Sequence, residues 1–153
     1  MNDVDLTLEG VSLPPEAEEL DDFTLQVLER IGVEDWHMGL ILTDDEGIRV
    51  HNREWRGLDR PTDVLSFAQS DGMDIPRIPG APREAGDIIL SLQTIQRNAQ
   101  EWGSTFPMEI RRAVVHGILH LNGMDHPGDD YDGEMLVLQE QLLADWAAST
   151  NKK

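Results

Sequence analysis

The residue types able to do chemistry are concentrated in one eleven-residue run, His116-Gly117-Ile118-Leu119-His120-Leu121-Asn122-Gly123-Met124-Asp125-His126. His116 and His120 are four apart in a segment with helical spacing, so both imidazoles leave the same face of the helix. Gly123 is a natural terminator for that helix, because glycine adopts a positive φ without a Cβ clash. Past that turn, His126 can fold back toward the other two. Three neutral imidazoles at one point suit Zn2+ and leave its fourth position for water, the arrangement of catalytic sites; structural sites are closed by four protein ligands. A lone helical histidine is usually a satisfied core or surface residue. Here three of the chain's five histidines fall within eleven residues, with a glycine placed to bend the chain between them. His37 and His51 stand apart in sequence and read as structural or surface residues.

The spacing also matches the protease pattern His-Glu-x-x-His-x-x-Gly-x-x-His at every position but one. Gly117 stands where that pattern has its glutamate, the general base of the protease reaction. Its absence argues against peptide hydrolysis by that route. Asp125 is the nearest carboxylate in sequence, with two roles open to it: orienting a ligating imidazole, or acting as a base.

Upstream, Arg49, Arg53, Arg56 and Arg60 recur at steps of four, three and four, which puts at least the first three on one helix face. One reading is an exposed face of ion pairs to Glu46, Glu54 or Asp59, each worth little. The other uses the bidentate grip of arginine on phosphate. Arg111 and Arg112 also lie just before His116. A metal beside guanidinium groups suits an anionic substrate such as a phosphodiester.

The elements that must position these residues are legible in pattern. Val4 to Glu9 alternates apolar and polar as a half-buried strand does. After Pro14-Pro15, Ala17, Leu20, Phe23, Leu25, Val27, Leu28 and Ile31 recur at helical spacing, with Gly32 as a stop. Trp36 to Thr43 reads as a strand, Asp44 as the N-cap of a helix running to about Arg56, and Val64 to Phe67 as a short strand. Residues 70–85, with Pro76, Pro79, Pro82, Gly72 and Gly80, read as an exposed loop. Ile88 to Leu90 reads as a buried strand, followed by helices at about 92–102, 106–122 and 130–148. That order predicts a single α+β domain over residues 1–153, with one small sheet of about four strands covered by about five helices.

The 153 residues carry a net charge of −18 and no cysteine. Disulfides, cysteine-based zinc sites and a cysteine nucleophile are therefore excluded. Hydrophobic residues at 39% and charged residues at 27% fit a globular chain rather than a disordered one. Residues 1–48 hold fourteen acids against Arg30 alone, residues 49–112 hold nine acids and nine arginines, and residues 113–153 hold seven acids and two lysines. Such a chain repels phosphate backbones at long range, which argues against nonspecific nucleic-acid binding but leaves room for a local arginine-lined cleft. The opening MNDVDLTLEG has neither a basic start nor an apolar run, so no signal peptide is expected. No apolar stretch approaches the ~20 residues of a bilayer span.

Three ordered motifs between residues 52 and 126 carry a family resemblance. The run His116 to His126 resembles the His-Gly-x-Leu-His-Leu-x-Gly-x-Asp-His signature of the YbeY endoribonuclease and rRNA maturation factor family. Trp55-Arg56-x-x-Asp59-x-Pro61-Thr62-Asp63-Val64-Leu65-Ser66-Phe67 resembles its second motif, and Gly86-Asp87-Ile88 its third. Trp55, Ala68 and His51 depart from the residues usual there; none is a ligand. The resemblance implies a small mixed sheet packed with helices, and one Zn2+ per chain held by His116, His120 and His126. It implies that Arg56 is the functional arginine facing the metal. The implied activity is that of a single-strand-specific endoribonuclease acting in small-subunit rRNA 3′-end maturation and ribosome quality control. The implied setting is cytoplasmic, with rRNA, the small ribosomal subunit, ribosomal proteins and assembly factors as partners, and no membrane or DNA. Two alternatives stand beside it: a ribosome-assembly factor with a non-catalytic zinc, and a metal hydrolase of another substrate. The acidic charge favours the first of these, since acidic proteins approach basic ribosomal proteins more readily than RNA.

Overall fold

Residues 36–43 form the spine of the sheet, burying Trp36, Met38, Leu40 and Leu42 by strict alternation. The computed structural model describes residues 1–68, 83–123 and 131–150. Along the chain these are β1 (Asp3–Leu8), a 3-10 turn (Pro15–Ala17), α1 (Leu20–Arg30), β2 (Trp36–Thr43) and α2 (Asp45–Arg56). Then follow β3 (Val64–Ala68), β4 (Arg83–Ser91), α3 (Leu92–Glu101), α4 (Phe106–Leu121) and α5 (Tyr131–Thr150). The sheet order is β1-β2-β4-β3. β2 runs parallel to both β1 and β4, and β3 pairs antiparallel with β4. The described residues adopt the expected α+β architecture, with a mixed four-stranded sheet and five α-helices.

Two boundaries differ from the sequence pattern. The helix expected from Pro14 is broken into the 3-10 turn and α1, with Glu19 as the α1 N-cap lacking a side-chain bond. β4 starts at Arg83, inside the stretch read as loop, because residues 83–87 find partners on β2 and β3. The rest of that stretch, residues 69–82, lies outside the described residues. Between Glu84, opposite His37, and Gly86, opposite Met38, Ala85 is one residue extra on β4. Gly86 completes this bulge at φ +134°, and a Cβ there would collide with the Phe67 carbonyl oxygen of β3.

α4 is the helix the core is built on. It buries Ile110, Val114, Val115, Ile118 and Leu119 completely, in one cluster with Ile88 and Leu90 of β4, Phe23 and Leu28 of α1, and Leu142 and Leu143 of α5. Each such side chain contributes roughly 1.5–3 kcal/mol relative to exposure. Thr105 caps the start of α4, accepting from the Met108 amide at 3.3 Å, and Pro107 sits in its first turn. Gly123 follows its end at φ +83°, as its type suggests. α2 is held differently. Its N-cap Asp44 accepts from the Gly47 amide at 2.8 Å. The next residue, Asp45, accepts from Ser91 at 2.7 Å, Thr94 at 2.6 Å and Arg97 at 2.7 Å. Burial alone would raise the Asp45 carboxyl; those three donors hold it below its ordinary value. The start of α2 is thereby bolted to the junction of β4 and α3.

At the other end of the sheet, His37 of β2 lies between two strands. Its Nδ1 is 2.8 Å from Glu84 of β4 and its Nε2 2.7 Å from Asp5 of β1, with Asp3 at 3.6 Å. Both ring nitrogens donate only in the imidazolium form. The bonds to Glu84 and then Asp5 accordingly raise His37 from about 6.5 to about 9. A raised histidine adds stability that is fully present below the unfolded value and is lost as pH rises through the folded one. Unfolding free energy should therefore fall between about pH 6.5 and about pH 9, by no more than ~1 kcal/mol at so exposed a site. Urea titrations of wild type and His37→Gln across that range test it; an equal pH slope in both proteins would show that the cluster contributes nothing.

Candidate functional site

Helical periodicity on α4 does what the spacing requires. His116 and His120 emerge from one face, both half-buried, with Nε2 atoms 3.0 Å apart and ring centroids 4.5 Å apart. Two nitrogens bound at ≈ 2.0–2.1 Å to a tetrahedral zinc stand about 3.3 Å from each other. The pair thus fits one shared zinc, with small adjustment of either ring. His126, expected as the third ligand, and Asp125 lie outside the described residues.

Arg56 reaches the same place from the last turn of α2. Its Nη2 donates to the Ser66 carbonyl at 2.8 Å, and its guanidinium sits 5.1 Å from the centroid of the Phe67 ring. β3 is the edge of the sheet, so an outward carbonyl such as that of Ser66 is available to a side chain rather than to another strand. The ion pairs of the alternative reading form at Arg49 and Arg53, and Arg56 takes a carbonyl instead. Asp59 is bound by Arg49 at 2.7 Å and approached by Arg53 at 4.0 Å. Asp63 accepts from Thr62 and the Val64 amide. Arg49 also pairs with Glu46 at 2.7 Å. The helix face of arginines therefore divides: Arg49 and Arg53 belong to surface ion pairs, and Arg56 faces the histidines.

These groups line one hollow of about 500 Å³. Arg56, Arg60, His116 and His120 border it, together with Asn52, Thr62 and the 64–66 segment of β3. Among the described residues no Asp or Glu borders it, on a chain of net charge −18. Low-dielectric walls of one charge sign focus the field into such a cleft and favour an anion there. Arg60 is carried by a turn fastened to Asn52, whose side chain donates to the Arg60 carbonyl at 2.9 Å. Asn52 is only 3% exposed. In the sequence its only signal is a polar residue four after Ile48, on the stripe that α2 buries.

The arginines next to His116 in sequence do not join the hollow. Arg112 is bound by Glu140 of α5 at 2.8 Å and by Glu109. Arg111 sits near Glu19 and Trp146 on another side of α4, where burial lowers its pKa despite Glu19. A second group with cation-holding chemistry was also missed. Asp3, Asp5 and His37 offer one ligand atom each within 4.8 Å of one another. The i, i+2 spacing of the two acids was visible, but their histidine is supplied only by the register Asp3 opposite His37. At neutral pH the shared proton competes with a cation for that ring.

Gly117 has a structural reason. It faces the sheet rather than the hollow, and a Cβ there would lie 2.9, 3.0 and 3.1 Å from three side-chain atoms of Ile88. A glutamate at this position would project into the core, so α4 cannot present a protease-type base beside these histidines.

The chain is similar to known proteins over most of its length. A sequence model of the family described as Endoribonuclease YbeY matches residues 11–147. The Endoribonuclease YbeY of Heliobacterium modesticaldum is 42% identical over 147 residues, covering 88% of this chain and 89% of that protein. The one from Treponema pallidum is 38% identical over 144 residues, covering 94% and 89%. The solution structure of TM1509 from Thermotoga maritima superposes with a TM-score of 0.65 at 28% identity, over 98% of this chain and 95% of that one. The chain belongs to the Endoribonuclease YbeY family.

Restoring the protease glutamate tests the packing at Gly117. Gly117→Glu combines overpacking with a carboxylate driven into the core, a loss of about 3 kcal/mol or more. Denaturant unfolding should show that loss, and the folded fraction should gain no peptide hydrolysis. A variant as stable as wild type would mean that α4 does not lie this close to β4.

Proposed function

We propose that this member of the Endoribonuclease YbeY family is a zinc-dependent, single-strand-specific endoribonuclease acting in small-subunit rRNA 3′-end maturation and ribosome quality control. The activity would be carried by one domain over residues 1–153. The observation that carries this reading is the hollow itself, with two convergent imidazoles, two arginines and no described carboxylate on an otherwise acidic chain. In this reading His116, His120 and His126 hold one Zn2+ per chain. Zinc in that position supplies Lewis-acid polarisation of a phosphoryl oxygen. Arg56, already fixed by the Ser66 carbonyl and Phe67, grips the phosphate and stabilises the charge that grows on its oxygens. Arg60 holds the backbone entering the hollow. The acidic remainder of the surface repels RNA elsewhere, so that strand entry concentrates at the arginines, and it suits contact with basic ribosomal proteins and assembly factors. Gly117 weighs against the alternative of a peptidase.

Arg56→Ala separates a functional arginine from a structural one. Loss of one exposed carbonyl bond and one ring contact changes stability by under about 1 kcal/mol. Removal of a charge-stabilising donor lowers the turnover number by about 10²–10³-fold. Melting temperature and cleavage of a defined single-stranded RNA are measured on the same preparation. Early melting with normal cleavage by the folded fraction would overturn the role given to Arg56.

Metal removal provides an independent check. The protein purified without chelator should hold about one zinc per chain. Stripping the metal should lower the melting temperature by roughly 5–15 °C, as expected for loss of a tightly bound ligand. His120→Ala should bind well below one equivalent and should not respond to chelator. A full equivalent of zinc in His120→Ala would place the metal elsewhere, with the Asp3, Asp5 and His37 group the first to examine.

A further inference from the structure

Next to the arginine hollow lies a second, smaller one of about 170 Å³. The two share His116 and Val64 as a common wall. The second differs in charge and in shape. Asp63 and Glu109 border it, and Glu109, only 3% exposed, is fixed by Ser104 at 2.7 Å and by Arg112. Among the described residues its one Arg or Lys is Arg112, held by the two carboxylates Glu109 and Glu140. An anion is therefore disfavoured here, while the neighbouring hollow attracts one. The volume suits a single ring system: an apolar cavity of about 150 Å³ accepts benzene.

Two side chains supply what a ring would need. Trp102, directly after α3, borders this hollow and is 58% exposed, so the core does not require its indole. Its backbone is nevertheless fixed, with the amide donating to the Asn98 carbonyl at 2.9 Å. Asn98 also borders the hollow, and its side-chain amide offers a donor and an acceptor side by side, the pattern that reads the edge of a base.

We propose that this second hollow is a base subsite, in which one unpaired nucleobase of the RNA stacks on Trp102 while the adjoining phosphate lies against Arg56 and His116. The proposal rests on the endoribonuclease reading above and deepens it. The division is one of charge: the phosphate occupies the arginine hollow, and the uncharged heterocycle occupies the acidic one. A base can stack on Trp102 only when it is unpaired and splayed from its neighbours, so a duplex is refused at this position. Trp102 is then a specificity residue of the substrate site.

The test is binding of a short fluorescein-labelled single-stranded RNA by fluorescence anisotropy, its integrity checked after each titration. Wild type, Trp102→Ala and Trp102→Phe are compared, each confirmed folded by circular dichroism. A stacking contact predicts about a tenfold rise in Kd for Trp102→Ala, with Trp102→Phe within about threefold of wild type. Moving a single abasic nucleotide along the RNA should reveal one position that weakens wild type about tenfold and weakens Trp102→Ala no further. An unchanged Kd in Trp102→Ala, or an abasic penalty identical in both proteins, overturns the subsite while the endoribonuclease reading stands. Failure of wild type to bind or cleave any single-stranded RNA overturns the endoribonuclease reading, and the subsite with it.

Discussion

The structure depends on how closely α4 approaches β4. Because Gly117 carries no side chain, the helix backbone settles against Ile88, and its neighbours Val114, Ile118 and Leu119 bury completely around that contact. Interiors at crystal-like density do not yield gradually, so a wider spacing would open voids on both sides of the helix. The same rotation that turns Gly117 inward turns His116 and His120 outward toward β3 and α2. A single glycine thus joins core packing to site geometry: the helix that anchors the fold is also the one that aims both imidazoles.

Opposite that helix, the site uses the edge of the sheet. Among the described strands β3 is outermost, so its outward carbonyls face no described strand, and the Ser66 carbonyl is taken by Arg56. Asp45, in turn, ties the start of α2 to the β4–α3 junction through Ser91, Thr94 and Arg97. The arginine is therefore constrained at both ends of its helix, through Asp45 at one and its own guanidinium at the other. Its direction follows from packing and hydrogen bonds rather than from the histidines it faces.

Charge is sorted as firmly as shape. On a chain of net charge −18, acids neutralise several of the described arginines outside the cleft: Glu46 and Asp59 take Arg49, Asp45 takes Arg97, and Glu109 with Glu140 takes Arg112. Arg56 and Arg60 are left bordering a hollow with no described carboxylate. The acidic excess thereby sharpens this positive feature instead of opposing it.

Much of this was legible in the residues themselves. Periodicity marked the four strands and five helices, because burial of one face imposes a period of 2 or 3.6 on any chain that buries it. The four-residue step placed His116 and His120 together for the same local reason. Local pattern misjudged the start of β4, since residues 83–87 become strand through partners on β2 and β3 that no neighbouring residue specifies. It could not separate Arg56 from Arg49 and Arg53, which share its helix face: those two meet Asp59, whereas Arg56 donates to the Ser66 carbonyl. It also gave no sign that Arg112 was held by α5, or that Asn52 fastened the Arg60 turn. Spacing along one helix is set by covalent geometry and can be read directly from the sequence. Which residue of another element lies opposite is set by strand register and helix packing, and that was decided only by the tertiary structure.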